Sequence, residues 1–533
     1  MSTNSMCCLF VSMTVWASFI GATPTRADSP FDLDSLFAVS VGGPAAVVSL
    51  QQVRYVKVTG KLTYNGQPGR FTEYLMPPDR ILLELSFGQF SVAQGFDGRI
   101  AWQRDQNGRL MEISGYEKRE LIKSLYFETH AYLDPSRRGN SVSYKGTVVR
   151  EDTGFYLIAF IPSEGDTVLA YFNGTTGVLA QMLSRLDNVQ TVTYFDNYQP
   201  VNGILTPMRT QLEAPEVPLT IEFDAESCRI NEPFDSAVFS MPVEPDTGYR
   251  FVSEGDSVRV PFSYRAGHIY VPAVINGKRR VWLILDSGAS ATIFNELAVA
   301  EFDLEAAGTI PAKGMGGFTE VMMVRIDSLQ VGDVFLYGQI GGVMDLSGIG
   351  HQGADGAPFG GVIGFDFLSR FPVLVDYGDS SLTIYRPERF RTPDGGTSVP
   401  FRLVMQVPAI EGALSGVPGD FIVDLGNAYG LILHKEFVEK NRLDTLLVDI
   451  RETGALGGVG GAVDGRTGVA RSFDMGPLYL DSLRVMLPGL SQGLAGSSEL
   501  AGNIGNMVLE SYKVLFDYRR SQITFYPAGP AAP

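Results

Sequence analysis

Four elements occur twice between residues 258 and 527, in the same order and at nearly the same spacing, and this duplication limits the fold more than any other feature of the chain. Val271-Pro272-Ala273-Val274-Ile275 begins 15 residues ahead of Asp286, and Val407-Pro408-Ala409-Ile410 begins 17 ahead of Asp424. Each aspartate follows an apolar run, Val281-Trp282-Leu283-Ile284-Leu285 or Phe421-Ile422-Val423, and opens an Asp-x-Gly turn. Gly361-Val362-Ile363-Gly364-Phe365-Asp366-Phe367-Leu368 then aligns with Gly502-Asn503-Ile504-Gly505-Asn506-Met507-Val508-Leu509, 77 residues separating Asp286 from Ile363 and 80 separating Asp424 from Ile504. The closing strands match as well: Val373-Leu374-Val375-Asp376-Tyr377 with Val514-Leu515-Phe516-Asp517-Tyr518, and Leu382-Thr383-Ile384-Tyr385 with Ile523-Thr524-Phe525-Tyr526. Repeated elements of this kind form the same supersecondary unit in each copy.

A single Asp-x-Gly is an ordinary turn. Two of them 138 residues apart at equivalent places in a repeat point to a paired use of Asp286 and Asp424. Two carboxyl groups a hydrogen bond apart can divide the work of amide hydrolysis, one taking a proton from water while the other gives one to the carbonyl oxygen. Their like charges make double ionisation costly, so such a pair keeps one proton over an acidic range. Gly288 and Gly426 let the two turns pack closely and aim backbone N–H groups at the carboxylates.

This duplicated pattern resembles the pepsin and retropepsin superfamily of aspartic proteases. The resemblance covers residues 258–527 and implies two similar all-β lobes, with Asp286 and Asp424 as the catalytic pair and no metal or cofactor. Ser287 carries the hydroxyl that the family uses to bond across the lobes. Leu425, at the matching place, has none, and the lost bond costs about 1 kcal/mol when its partner finds water. Asn427 is the candidate donor of a compensating bond. Ile363-Gly364 and Ile504-Gly505 are expected beneath the two catalytic turns. Gly314-Met315-Gly316-Gly317-Phe318 and the glycine-rich run containing Gly457 and Gly458 fall where the family has its flaps, and both are expected as flexible loops. Neither holds a Tyr, which leaves Phe318 to cover the cleft.

Residues 53–242 read differently. Alternation in Tyr55-Val56-Lys57-Val58-Thr59-Gly60-Lys61-Leu62-Thr63-Tyr64, followed by Asn65-Gly66, predicts a strand and a hairpin turn. Similar runs recur at 81–87, 156–160, 167–172 and 219–223, with a helix expected over 116–126. Gly95-Phe96-Asp97-Gly98-Arg99-Ile100-Ala101-Trp102 and Val201-Asn202-Gly203-Ile204-Leu205-Thr206-Pro207 resemble the periplasmic lipoprotein-carrier family. That implies a curved antiparallel sheet and a lipid or lipoprotein partner; a substrate-docking or spacer domain is the alternative.

The expected fold is therefore mainly β, a bilobal pepsin/retropepsin-like double β-barrel behind a curved antiparallel sheet domain with a few helices. The expected segments are 1–27 (signal peptide), 28–247, 248–397 and 398–533. The apolar stretch 6–22, with small-residue cleavage sites at Ala22 or Ala27, predicts export to the periplasm or cell exterior. No Lys or Arg precedes Arg26, so an uncleaved membrane anchor stays open. With cleavage, Cys7 and Cys8 leave, and Cys228 remains as a lone thiol with no chemical role assigned.

A net charge of −17 argues against nucleic acid, whose binding needs clustered Lys and Arg. His130, His268, His351 and His434 are too scattered for a metal site. The histidines are too few to support a serine hydrolase, and a Gly-Lys-Ser/Thr loop is missing, which argues against a phosphate cradle. Two functions remain: an exported aspartic endopeptidase acting on peptides or unfolded proteins, and a non-catalytic peptide- or lipoprotein-binding protein built on the same two lobes.

Overall fold

The computed structural model describes residues 31–527 except 139, 140, 164, 187, 188, 216, 218, 244–247, 301, 303, 305, 314–317, 351–354, 459, 460, 477 and 490–496. The expected signal segment, Gly316, Gly317 and His351 lie outside the described residues. The chain divides into two compact units, Met1–Val243 and Glu244–Pro533.

The first unit is built on one 13-stranded sheet. Two up-and-down meanders, 56–113 and 141–230, join edge to edge where Val56–Tyr64 pairs antiparallel with Leu219–Ile230. The predicted hairpin closes with Tyr64 opposite Gln67. Asn65 and Gly66 both take positive φ, 46° and 81°, as a two-residue turn matched to strand twist requires. The predicted helix runs Gly115–Glu128, buries Leu121, Leu125 and Phe127, and ends beside a short 3-10 turn. Phe37, from the helix Leu33–Ser40, packs on the same aromatic core as Phe127, Phe160 and Phe172. No single helix among the described residues is long and apolar enough to cross a membrane.

The second unit contains two lobes of one topology. In the first, His268–Ile275 pairs antiparallel with Arg279–Leu285, which runs parallel to Phe359–Ile363. Ile293–Asn295 then pairs antiparallel with that strand and parallel with Val334–Met344. In the second lobe, Val407–Leu414, Val417–Val423, Gly502–Ile504, Leu431–Leu433 and Leu478–Pro488 repeat every one of these relationships. The central strands are buried on both faces, which explains why the sequence around each aspartate is continuously apolar rather than alternating.

A six-stranded sheet joins the lobes. Its order is Ser257–Pro261, Ser381–Tyr385, Val373–Asp376, Tyr512–Asp517, Gln522–Pro527, Thr397–Pro400, so each lobe contributes one half. The seam is the antiparallel pair of Val373–Asp376 with Tyr512–Asp517, where Leu374 faces Leu515 and Val375 faces Val514. The apolar residues that matched in the two sequence copies thus meet one another at the pseudo-twofold centre.

Candidate active site

Each aspartate sits where a central strand ends against a parallel neighbour. Leu285 lies opposite Ile363 and Val423 opposite Ile504, and the next N–H in each strand continues the ladder: Asp286 donates to the Ile363 carbonyl at 3.0 Å, Asp424 to the Ile504 carbonyl at 2.8 Å. The inner loops thereby fix the backbone at the point where each carboxyl leaves the sheet. Gly364 and Gly505 make room for the returning turn: a Cβ on Gly364 would stand 2.5 Å from the Ala289 carbonyl oxygen, and one on Gly505 would overlap that of Tyr429. Phe365 N–H then bonds the Ala289 carbonyl at 2.9 Å, and Asn506 N–H the Asn427 carbonyl at 2.8 Å.

The two turns are seated against each other. A Cβ on Gly288 would lie 2.5 Å from the Asp424 carboxyl carbon, and one on Gly426 would overlap that of Asp286, so each carboxyl occupies the space left by the opposite turn's glycine. Gly288 N–H donates to Asp286 Oδ1 at 2.7 Å, and Gly426 N–H to Asp424 Oδ1 at 2.7 Å. The two carboxyl groups are close enough to act on each other, and Asp286 is held well above the ordinary carboxylate range. Burial is the first cause, the charge of Asp424 the second, and the Gly288 N–H works in the opposite sense.

Ser287 and Leu425 are both fully buried. Ser287 Oγ donates to the Val423 carbonyl at 2.7 Å and accepts the Leu425 N–H at 2.9 Å, so one hydroxyl makes two bonds to the opposite lobe. Asn427 does not supply the compensating cross-lobe bond expected of it. Its Oδ1 accepts the Tyr429 N–H at 2.9 Å, which turns Nδ2 toward Asn503, where it reaches the carbonyl at 3.1 Å and Oδ1 at 3.2 Å, all within the second lobe.

Three further residues complete the site. Asn503, almost fully buried, donates from Nδ2 to Asp424 Oδ2 at 2.7 Å. Asn506 Nδ2 donates to the Leu425 carbonyl at 2.7 Å and to the Gly267 carbonyl at 2.8 Å, while its Oδ1 accepts the Tyr377 hydroxyl at 2.6 Å. The copy of Asn506 in the first lobe is Phe365, whose ring packs on Tyr518 at 5.7 Å. The Tyr518 hydroxyl is left without a partner among the described residues, and its phenol is pushed well up by burial and by Asp286 and Asp424. The signal for Asn503 and Asn506 was in the repeat: both are polar at places where the first copy carries Val362 and Phe365.

Of the first glycine-rich stretch only Phe318 lies among the described residues, and of the second 459 and 460 lie outside them. Phe318 opens the strand Phe318–Val331 and pairs with Lys313; the role expected for its side chain lies outside the described residues. Gly457 and Gly458 end the strand Val448–Gly458, paired with Ala462 and Gly461. Glycine weakens a strand without forbidding the ladder, and the register of this pair shifts between Val448 and Arg451 and between Thr453 and Leu456.

The first unit holds a half-open cavity of about 310 Å³ lined by Leu50, Val56, Leu75 and Ile230, with Glu128 and Cys228 among its polar members. Burial pushes the Cys228 thiol up to about 11, which keeps it protonated and inert.

Residues 271–367 match the family model described as aspartyl protease, a stretch that includes Asp286 and Ile363-Gly364 and ends before Asp424. This is the family expected for residues 258–527. No curated protein matches the chain. Among solved structures, an aspartic proteinase from Irpex lacteus is 13% identical, with a TM-score of 0.35, over 51% of this chain and 97% of that one. For the N-terminal part, a LolA superfamily protein from Nitrosomonas europaea is 10% identical, with a TM-score of 0.28, over 39% of this chain and 96% of its own. A DUF1329 family protein from Desulfovibrio piger is 13% identical, with a TM-score of 0.29, over 38% and 95%.

Proposed function

We propose that the second unit is an aspartic endopeptidase, which hydrolyses peptide bonds with a water held between Asp286 and Asp424. The mutual seating of the two turns carries this reading, since each carboxyl lies against the opposite turn's glycine. Burial makes a second ionisation expensive, so the pair retains one proton into mildly acidic solution and offers a base and an acid at once. Peptides and unfolded proteins are the proposed substrates, because an extended backbone can bring its carbonyl to the half-buried Asp286 and the buried Asp424.

The proposal includes export. A mature chain beginning near Thr23 or Asp28 supports it, whereas Met1 retained on membrane-bound material favours an uncleaved anchor. For the first unit, the partly apolar cavity supports an acyl chain or a lipoprotein's lipid as ligand. The missing hydroxyl at Leu425 favours a second reading, in which the two lobes bind peptides without cutting them.

The test is incubation of the full chain with an unfolded protein at pH 3–6, with and without a statine-type inhibitor. Cleavage that the inhibitor blocks supports the endopeptidase. Binding of an unfolded chain with no cleavage at any pH replaces it with the second reading.

A further inference from the structure

The two aspartates share a site but not the same surroundings. Asp286 Oδ1 accepts the Gly288 N–H, the Ala289 N–H also favours its charged form, and Asp424 is the one side chain set against it from the opposite turn. Asp424 accepts a backbone N–H on Oδ1 and, in addition, the Asn503 amide on Oδ2. In the first lobe the residue aligned with Asn503 is Val362, which has no hydrogen to donate. A side-chain amide therefore meets one aspartate of the duplicated site and has no counterpart at the other.

The orientation of that donor follows from a chain of bonds that begins at the backbone. A side-chain amide can be turned end for end, and its direction has to be argued from its neighbours. The Tyr429 N–H can only donate, so the atom of Asn427 facing it at 2.9 Å is Oδ1, and Nδ2 of Asn427 faces Asn503. That Nδ2 can only donate, so Asn503 presents Oδ1 to Asn427 and Nδ2 to Asp424. The atom of Asp424 receiving it must accept. All three side chains are buried, with Asn503 at 2% exposure, so water does not readily replace the bond.

We infer that Asn503, oriented by Asn427, holds Asp424 as the carboxylate of the pair and leaves the shared proton on Asp286. This assignment rests on the proposed peptidase activity and gives each acid its part. Asp424 takes a proton from the attacking water as its oxygen bonds to the carbonyl carbon, and Asp286 gives its proton to the carbonyl oxygen, yielding a neutral gem-diol. On collapse, Asp424 returns its proton to the departing nitrogen as the C–N bond breaks, one diol hydroxyl gives its proton to Asp286, and the starting charges are restored. Asn503 is a positioning residue throughout, touching Asp424 and not the substrate.

The titratable groups facing Asp424 are Asp286, from the opposite turn, and Tyr518, beyond the strand Tyr512–Asp517. Tyr518 is pushed up by burial and by both aspartates, so it remains neutral across the working range. The acidic limb of a pH profile thus reports the first ionisation of the pair, which a donor to the charged form makes easier.

The experiment is the kcat/KM profile of the full chain from pH 2.5 to 7.5 on an unfolded protein substrate, for the wild type, Asn503→Val and Asn427→Ala. A hydrogen bond to a charged group corresponds to roughly one pH unit, so Asn503→Val should move the acidic limb up by about one unit and leave the alkaline limb in place. Asn427→Ala, which frees the Asn503 amide without touching Asp424, should move the same limb in the same direction by less, and it carries the test if Asn503→Val fails to fold. An acidic limb unmoved in a folded variant, or movement of the alkaline limb alone, overturns the inference. Should the wild type prove inert, the peptidase reading fails, and carboxyl ¹³C titration of the wild type and both variants still decides this one. There the group ionising first must be the one assigned to Asp424 by its loss in Asp424→Asn.

Discussion

Ser287 and Leu425 occupy the same place in the two copies of the turn, and the whole bridge between them is made from one side: Ser287 Oγ accepts the Leu425 N–H at 2.9 Å while donating to the Val423 carbonyl at 2.7 Å. The half of the lock that Leu425 cannot form is replaced by packing, since its side chain is fully buried. A family-like hydroxyl at both positions is therefore not needed to hold the turns in register.

Removing that hydroxyl strands two buried backbone groups. Ser287→Ala should cost about 2–6 kcal/mol, at about 1–3 kcal/mol for each unsatisfied group. Scanning calorimetry of the second unit's transition checks this, with Ser287→Thr expected close to wild type. A Ser287→Ala protein as stable as the wild type would mean that the bridge carries no weight.

Gly426 is the floor on which Asp286 rests. Gly426→Ala puts a methyl group into the space of the Asp286 carboxyl and must displace it. Misplacing one acid by about 1 Å costs on the order of 100-fold in turnover, and that is the loss expected in kcat on an unfolded substrate. Gly288→Ala, whose Cβ would press on Asp424, should behave alike.

In the first unit, Glu73 is buried on the sheet, and its carboxyl is held well above the ordinary range, first by burial and then by Glu128. A carboxyl with a raised folded-state pKa contributes stability in full below its unfolded pKa, and this is lost as pH rises through the folded one. Glu73→Gln mimics the protonated form. It should raise the first unit's melting temperature at pH 7–8, with the gain vanishing near pH 4. A constant gain or loss across pH 4–8, read by calorimetry of the full chain, would contradict this.

Much of this arrangement was legible before any coordinates. Asp286 and Asp424 stood out because an apolar strand and an Asp-x-Gly turn recur at equivalent places in the repeat, and buried parallel strands leave that signature. Ser287 was legible for the same reason. Asn503 was not, because a single Asn inside an apolar run reads as a weak strand residue until its neighbour across the ladder is known, and that neighbour is set by the pairing of Leu431–Leu433 and Val417–Val423 around it. Asn427 misled in the opposite way: its place in the turn suggested the other lobe, while the Tyr429 N–H, two residues on, captures its oxygen and turns its donor inward. Gly457 and Gly458, within the glycine-rich run 454–461, looked like part of a loop because composition alone does not reveal a partner strand.

The central claim is that two carboxyls, one from each copy of the repeat, act together. Turnover of Asp424→Asn on an unfolded protein substrate at pH 3–6, measured beside wild type and Asp286→Asn, tests it most directly. Asn is nearly the same shape as Asp and leaves the fold in place, so both variants should fold while turnover falls by at least about 1000-fold, as expected for losing a group that acts in proton transfer. An Asp424→Asn protein that keeps wild-type turnover would show that the second carboxyl takes no part, and the shared site would have to be abandoned.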